Sequence, residues 1–133
     1  RLAEARKYCE NKCEILEEKY DPQNWFARIR GHEDDPERGE SCRICYEMRL
    51  AKTAAVAAKS GFQFFATTLS ISPHKNANWL NELGRELAEK FDVDFFEADW
   101  KKCDGFKKSL ELSAAANLKR QNYCGCVYSR PVE

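Results

Sequence analysis

Two short cysteine motifs give the clearest indication of chemical function in this sequence. Cys42 and Cys45 form a Cys-x-x-Cys pair, and Cys124 and Cys126 form a Cys-x-Cys pair near the other end of the chain. Strong helix formers after Cys45 predict a helix that begins at the first motif and ends at Ser60-Gly61. Because a helix N-terminus stabilises negative charge, we expect lowered thiol pKa values at Cys42 and Cys45.

Three interpretations of these four thiols compete. All four could bind one structural zinc ion, which takes four sulfur ligands. They could instead hold an iron–sulfur cluster, whose cysteines are often split between a Cys-x-x-Cys and a distant pair. In the third interpretation Cys42 and Cys45 bind metal, while Cys124 and Cys126 form a redox-active pair. A disulfide across Gly125 alone would close a small strained ring and be easily reduced.

Residues after two predicted strands are candidates for substrate binding. Residues 61–68 and 93–98 are rich in aromatic and β-branched side chains, which predicts parallel strands, the first of them buried. Open α/β sheets bind ligands at the carboxyl ends of their strands. The candidates there are Thr67, Thr68, Ser72, Lys75 and Asp99. The structural alternatives are ordinary loop capping by the hydroxyl groups and helix capping by Asp99.

Arg120 and Gln121 lie directly before the second cysteine motif. Their side chains could bind a base edge or a phosphate group, against the alternative of a surface ion pair. This end of the chain is the basic one, since residues 101–133 carry 7 basic and 3 acidic side chains, whereas residues 1–40 carry 8 and 11. The asymmetry favours a local contact with phosphate, although the net charge of the chain is zero.

Helices and strands alternate along the predicted elements. Helices are predicted at 2–10, 22–29, 78–91 and 106–118, in addition to the helix after Cys42, and Asp21 should cap the second of them. Cys9 is expected in the core, and residues 14–17 are expected to form a short strand. The alternation predicts a single α/β domain over residues 1–133, with three layers and a mostly parallel sheet flanked by helices in a Rossmann-like arrangement.

Composition narrows the class of protein. A chain of 133 residues with 43% apolar side chains can bury one core. It contains no run of about 18 apolar residues and opens without a charged-then-apolar leader, so we expect a cytoplasmic protein without a membrane partner. Seven clustered cysteines favour metal or redox chemistry over a disulfide scaffold. Because Arg1 falls inside a predicted helix, we expect an incomplete fragment that lacks an N-terminal segment.

Three ordered blocks closely resemble the cobalamin-independent epoxyqueuosine reductases of the QueH type. They are Glu37-Arg38-Gly39-x-x-Cys42-x-x-Cys45-Tyr46-x-x-Arg49-Leu50-x-x-Thr53-Ala54, Thr67-Thr68-Leu69-x-x-Ser72-Pro73-x-Lys75, and Arg120-Gln121-x-Tyr123-Cys124-Gly125-Cys126-x-x-Ser129. The resemblance extends over essentially the whole chain. Three blocks in this order are far more specific than a lone Cys-x-x-Cys.

The resemblance implies an oxidoreductase that removes the epoxide oxygen from epoxyqueuosine at the wobble position of tRNA, giving queuosine. It implies a 4Fe–4S cluster with Cys42 and Cys45 as ligands, a further metal ion, expected to be iron, and a redox-active pair of Cys124 and Cys126. The partners implied are tRNA and an unidentified electron donor. The family opens with a strand and adjacent cysteines that are absent here, so we expect this fragment alone to be inactive. The alternative is a zinc-stabilised α/β module that binds RNA without catalysis.

Overall fold

The computed structural model describes residues 1–129, and its five α-helices and two β-strands form a mixed α/β fold. In chain order the elements are α1 (Leu2–Cys9), α2 (Pro22–Arg28), α3 (Glu40–Lys59), β1 (Phe64–Phe65), α4 (Ala77–Phe91), β2 (Asp94–Phe95) and α5 (Gly105–Ala115). Short 3₁₀ turns cover Leu69–Ile71 and Val127–Ser129. The predicted α/β class is confirmed.

The two strands pair in parallel, as predicted. Phe64 is opposite Asp94 and Phe65 is opposite Phe95. The strands are shorter than expected, because hydrogen bonds join them only around these residues. Strand β1, which was predicted to be buried, is buried on one face only. Phe65 is 4% exposed, whereas Phe64 is 53% exposed. Alternate side chains of a strand point to opposite faces, so within residues 1–129 only the Phe65 face is covered.

Helices α3 and α4 build the core against that covered face. Both helices pack on each other, α3 contacts β1 and α4 contacts β2. The buried cluster consists of Tyr46, Leu50, Ala54, Ala57, Phe65, Leu80, Leu83, Leu87 and Val93. Cys42 packs against this cluster from the first turn of α3. The core therefore fixes the helix that presents the first cysteine motif.

Helix α4 follows the predicted boundaries closely. Asn76 caps it, since its side chain accepts hydrogen bonds from the backbone N–H groups of Asn78 and Trp79. Leu80, Leu83 and Leu87, which recur at helical spacing, are buried. Gly84, on the same helix, lies so close to Phe95 that a Cβ atom would meet the ring at 2.2 Å. Glycine at this position lets helix and strand approach closely.

The N-terminal third contains two wrong predictions. Helix α1 is present, but it has no buried residue and Cys9 is only half-buried, so Cys9 is not a core residue. Residues 14–17 form no strand, because no neighbouring strand offers them a hydrogen-bonding partner in the described structure. Helix α2 matches its prediction, and Asp21 accepts a hydrogen bond from the N–H of Asn24 at 3.2 Å.

None of the helices within residues 1–129 is both long enough and apolar enough to cross a membrane.

Candidate active site

The site is built on the first turn of α3. Asp35, in the polar loop before the helix, accepts a hydrogen bond from the N–H of Ser41 at 2.9 Å and contacts the His32 ring at 3.1 Å. Its carboxylate therefore satisfies one of the first N–H groups of the helix, a task usually done by an N-cap residue. The loop and the helix start are held in one conformation, which places Cys42 at a defined position.

Cys42 and Cys45 are half-buried thiols in the first two turns of α3. Burial raises the pKa of the Cys45 thiol, and Arg49 offsets only part of that effect. The direction is opposite to the expected lowering, because Cys45 lies one turn into the helix, where desolvation of the thiolate outweighs the helix dipole. A positive metal ion would reverse this balance by stabilising the thiolate.

The second cysteine motif forms a turn that other residues hold in place. Gln121 donates a hydrogen bond to the carbonyl oxygen of Tyr123 at 2.7 Å, and Arg1 donates one to the carbonyl of Cys124 at 3.3 Å. Gly125 has φ +99°, a conformation that residues with a side chain rarely adopt. The turn leaves Cys124 and Cys126 as half-buried, unlinked thiols on either side of the glycine.

Lys75 joins the two cysteine motifs. Its Nζ atom lies 2.8 Å from Sγ of Cys124 and 5.9 Å from the centre of the Tyr46 ring, on the helix that carries Cys42 and Cys45. Burial acts to lower the pKa of Lys75, but the hydrogen bond and charge of Cys124 outweigh it, so the net direction is upward. The loop before α4 thus places a protonated amine among the thiols.

Tyr46 contributes a buried hydroxyl group to the same region. The residue is 2% exposed, and its hydroxyl has no hydrogen-bond partner within residues 1–129. Burial raises the pKa of Tyr46, with Lys75 opposing the shift. Buried polar groups are rarely left unpaired in proteins. The backbone N–H of Asn76 acts together with Lys75 to lower the pKa of this phenol, so both groups lie near its hydroxyl.

The ends of the two strands lie side by side, as expected for a parallel pair, but their polar groups are mostly occupied. The Thr67 hydroxyl accepts from the N–H of Leu69 at 3.1 Å. Asp99 pairs with Lys101 at 2.8 Å, and this contact lowers the pKa of Asp99. Thr68 is exposed and has no side-chain hydrogen bond among the described residues.

Three further predicted residues differ in how close they lie to the cysteines. The Ser72 hydroxyl accepts from the N–H of His74 at 3.2 Å, which shapes the loop leading to Lys75. Gln121 supports the turn of the second cysteine motif. Arg120 lies against α5 instead, donating to the Ser113 hydroxyl at 2.7 Å. The structure therefore brings Lys75 and Gln121 to the thiols and directs Arg120 away from them.

The thiols of the first cysteine motif suit part of a metal site. Cys42 and Cys45 offer two thiols of the kind that iron and zinc prefer. Within residues 1–129, however, no group of three or more His, Cys, Asp or Glu side chains is arranged to hold one metal ion. The donors therefore fit two positions of a metal site and leave the others to be filled.

Comparison with known proteins agrees with the order of the motifs. The sequence profile of the family described as epoxyqueuosine reductase QueH matches residues 1–131. The chain belongs to the QueH family. It is 38% identical over 123 residues to the epoxyqueuosine reductase QueH of Streptococcus pyogenes serotype M1, covering 92% of this chain and 48% of that protein.

Two other QueH proteins match the chain at similar identity and coverage. The protein from Histophilus somni is 43% identical over 116 residues, which cover 86% of this chain and 48% of that protein. The protein from Thermotoga maritima is 35% identical over 105 residues, which cover 79% of this chain and 55% of that protein. The chain thus spans about half the length of the QueH relatives that it matches.

Two residues of the candidate site are not among those predicted from the sequence. Asp35 is not among the predicted site residues, because it lies four positions before the N-cap residue Gly39, outside the local capping signal. Tyr46 was noted only within the motif. Its position one residue after Cys45, in a helix whose apolar residues recur at Leu50 and Ala54, could have indicated burial beside the thiols.

Proposed function

We propose that this chain carries part of the active site of an epoxyqueuosine reductase, which reduces epoxyqueuosine to queuosine at the wobble position of tRNA. Membership of the QueH family supports this proposal. The single structural observation that supports it best is the contact between Lys75 and Cys124, because it joins the Cys42–Cys45 helix to the second cysteine motif through a loop from a third part of the chain.

The stoichiometry of the reaction suits the second cysteine motif. Removing an epoxide oxygen as water and restoring the carbon–carbon double bond consumes two electrons and two protons. Oxidation of Cys124 and Cys126 to a disulfide releases two electrons and two protons. The pair can therefore hold one full set of reducing equivalents, and an electron donor, still unidentified, would restore the thiols.

In this proposal Cys42 and Cys45 are ligands of a 4Fe–4S cluster, with a further metal ion, expected to be iron, beside it. When bound, such a cluster supplies electrons singly, and a neighbouring metal ion can polarise an oxygen atom. Tyr46 offers its unpaired hydroxyl to a group in the same region. Because the described residues supply two thiol ligands, the proposed site needs further ligands before it can hold a complete cluster.

Substrate binding in this proposal involves Lys75 and Gln121 near the thiols, with Thr67, Thr68, Ser72 and Asp99 along the strand ends. Arg120 belongs to a basic surface on α5, which includes the exposed side chains of Lys107 and Lys108. This surface would contact tRNA phosphates away from the modified base. The basic surface would hold the tRNA, and the residues near the thiols and strand ends would orient the nucleoside.

The proposal can be tested with tRNA that contains epoxyqueuosine. The chain and a form extended to the length of its relatives would be reconstituted with iron and sulfide without oxygen, then incubated with this tRNA and a reductant. We expect queuosine in the digested nucleosides from the extended form, detected by mass spectrometry as the loss of one oxygen. Cys124→Ser should abolish the product, whereas Cys103→Ser, at an exposed cysteine, should not.

The same preparation distinguishes the alternative of a zinc-stabilised RNA-binding module. One zinc ion per chain, no visible absorption and no queuosine from the extended form would contradict the proposed reductase.

A further inference from the structure

Within residues 1–129, Lys75 contacts one of the two thiols of the second cysteine motif and not the other. Its ammonium group lies 2.8 Å from Sγ of Cys124. Over residues 1–129, Sγ of Cys126 has no hydrogen-bond partner, and only the carbonyl oxygen of that residue is bonded, to Ser129. Two cysteines separated by one glycine therefore have different electrostatic environments.

The backbone of Lys75 is held in place, and within residues 1–129 its ammonium has no competing carboxylate. Its backbone N–H donates to the carbonyl of Ser72 at 3.1 Å, and the next residue, Asn76, caps α4. No acidic side chain in the described structure forms an ion pair with Lys75. The groups around it are the Tyr46 phenol and the thiols of Cys42, Cys45 and Cys124. Among the described residues, Cys124 is the thiol that lies within hydrogen-bonding distance of the ammonium.

We propose that Lys75 makes Cys124 the leaving thiolate when a Cys124–Cys126 disulfide is reduced, so that an incoming dithiol attacks Sγ of Cys126. This inference rests on the redox pair of the proposed function. In a disulfide exchange the sulfur that is better stabilised as a thiolate leaves faster, and the attack then falls on its partner. Within residues 1–129 the ammonium of Lys75 hydrogen-bonds to Sγ of Cys124 and not to Sγ of Cys126, so it stabilises a thiolate on Cys124 more strongly.

The step balances in atoms and electrons. A thiolate of the external dithiol bonds to Sγ of Cys126, the bond between Cys126 and Cys124 breaks, and its electron pair leaves with Cys124 as thiolate. The second thiol of the reductant then displaces Cys126. The external dithiol becomes a disulfide, and the protein pair is reduced. Lys75 is a positioning residue in this step and forms no bond to the reductant.

The test locates the mixed disulfide directly. The chain would be oxidised mildly, treated briefly with a monothiol at neutral pH, quenched with acid and alkylated. Trypsin cuts after Arg120 and releases a peptide whose only cysteines are Cys124 and Cys126. Tandem mass spectrometry then shows which of them carries the monothiol. We expect the adduct on Cys126 by about tenfold over Cys124, in line with the dependence of exchange on leaving-group stability.

Variants separate the effect of Lys75 from a general change in the fold. Lys75→Met should remove the preference, and Lys75→Arg should restore most of it. Lys59→Met, at an exposed lysine at the end of α3, should behave like the parent chain. Equal adducts in the parent chain, or an unchanged preference in folded Lys75→Met, would overturn the inference.

A measurement on the unmodified sequence covers the case in which Lys75→Met does not fold. In the reduced parent chain, Cys124 should react with iodoacetamide several-fold faster than Cys126 at neutral pH, because the thiolate is the reactive form. Equal rates would count against Lys75. Failure to form any Cys124–Cys126 disulfide would instead contradict the redox pair itself, which distinguishes the two proposals.

Discussion

The ring of Phe95 in β2 lies against Gly84 in α4, with no space for a methyl group between them. Alanine is the better helix former by about 1 kcal/mol. Here a Cβ atom would approach the ring to 2.2 Å, so either the ring or the helix must move. The cost of the clash and the gain in helix propensity therefore have opposite signs.

We expect Gly84→Ala to lower the free energy of unfolding by about 1–3 kcal/mol, the usual cost of overpacking a core. Urea denaturation would measure the change. In a Phe95→Leu background the same substitution should cost less, since leucine lacks two of the three ring atoms that clash, Cε1 and Cζ. A Gly84→Ala chain at least as stable as the parent would show that the contact between helix and strand adjusts without cost.

The two cysteine pairs should respond differently to substitution. In the form extended to the length of its relatives and reconstituted with iron and sulfide, Cys42→Ala should remove the visible absorption band and queuosine formation together. Cys124→Ala should keep the band and lose queuosine formation, because its thiol is proposed to carry electrons and not to bind iron. Loss of the band in both variants would make all four thiols ligands.

The iron content of the 133-residue chain provides an independent measurement. Two thiol ligands hold a cluster poorly, and the described residues offer no third ligand near them. We therefore expect the chain to bind well below the four iron atoms of a full cluster. Full occupancy in this chain, with Cys124 and Cys126 still open to alkylation, would contradict the proposed ligand set.

The basic surface should bind tRNA through phosphate groups. Of the seven basic residues in 101–133, Lys101 and Arg120 make side-chain hydrogen bonds to protein groups, Lys102 and Lys119 are exposed but lie outside α5, and Arg130 lies outside the described residues. Lys107 and Lys108 are exposed and form no ion pair within residues 1–129. They are the side chains best placed to contact RNA.

We expect Lys107→Glu combined with Lys108→Glu to weaken tRNA binding. The slope of log affinity against log salt should fall by about 1.5, since each lost phosphate contact removes about 0.7–0.9. Filter binding at several salt concentrations would measure it. Lys19→Glu with Lys59→Glu changes the same charge elsewhere on the surface and serves as the control. Equal losses in both double variants would mean that net charge alone determines binding.

The ion pair of Asp99 and Lys101 should appear in the pH dependence of stability. Lys101 lowers the pKa of Asp99, so this carboxylate adds stability above its unfolded pKa, about 4, and the contribution disappears as the pH falls through the lower folded value. Lys101→Met should therefore be less stable than the parent at pH 7, with a smaller difference in acid.

Urea denaturation at several pH values and NMR titration of Asp99 would test this expectation. The pair is partly exposed, so we expect a difference below about 1 kcal/mol. Lys59→Met, at an exposed lysine at the end of α3 that is not among the groups shifting Asp99, should change neither quantity appreciably. A titration midpoint of Asp99 that does not rise in Lys101→Met would contradict the assigned cause.

Local signals explain the parts of the fold that the sequence predicted well. The cap at Asp21 and the apolar spacing of Leu80, Leu83 and Leu87 act within one or two helical turns, and both helices appear where expected. The length of β1 and the environment of Cys9 depend on which distant segments pack against them. Propensity and periodicity do not contain that information.

The candidate site was likewise predictable only where its signals are local in sequence. The two cysteine motifs could be recognised from spacing, and the helix at Cys42 from its composition. The contact of Lys75 with Cys124 joins residues 49 positions apart, so no local pattern predicts it. The raised pKa of Cys45 follows from burial by the rest of the core, which reversed an expectation based on the helix terminus alone.

Trp100 stacks on Phe96 at 6.1 Å, and its indole N–H donates to the carbonyl of Thr67 at 2.8 Å. This tryptophan is 42% exposed, contacts Thr67 and directly follows Asp99, two of the proposed substrate-binding residues. With Trp25 and Trp79 replaced by phenylalanine, Trp100 would be the single tryptophan of the chain and could be excited selectively over its five tyrosines. Its emission would report binding there without an attached dye.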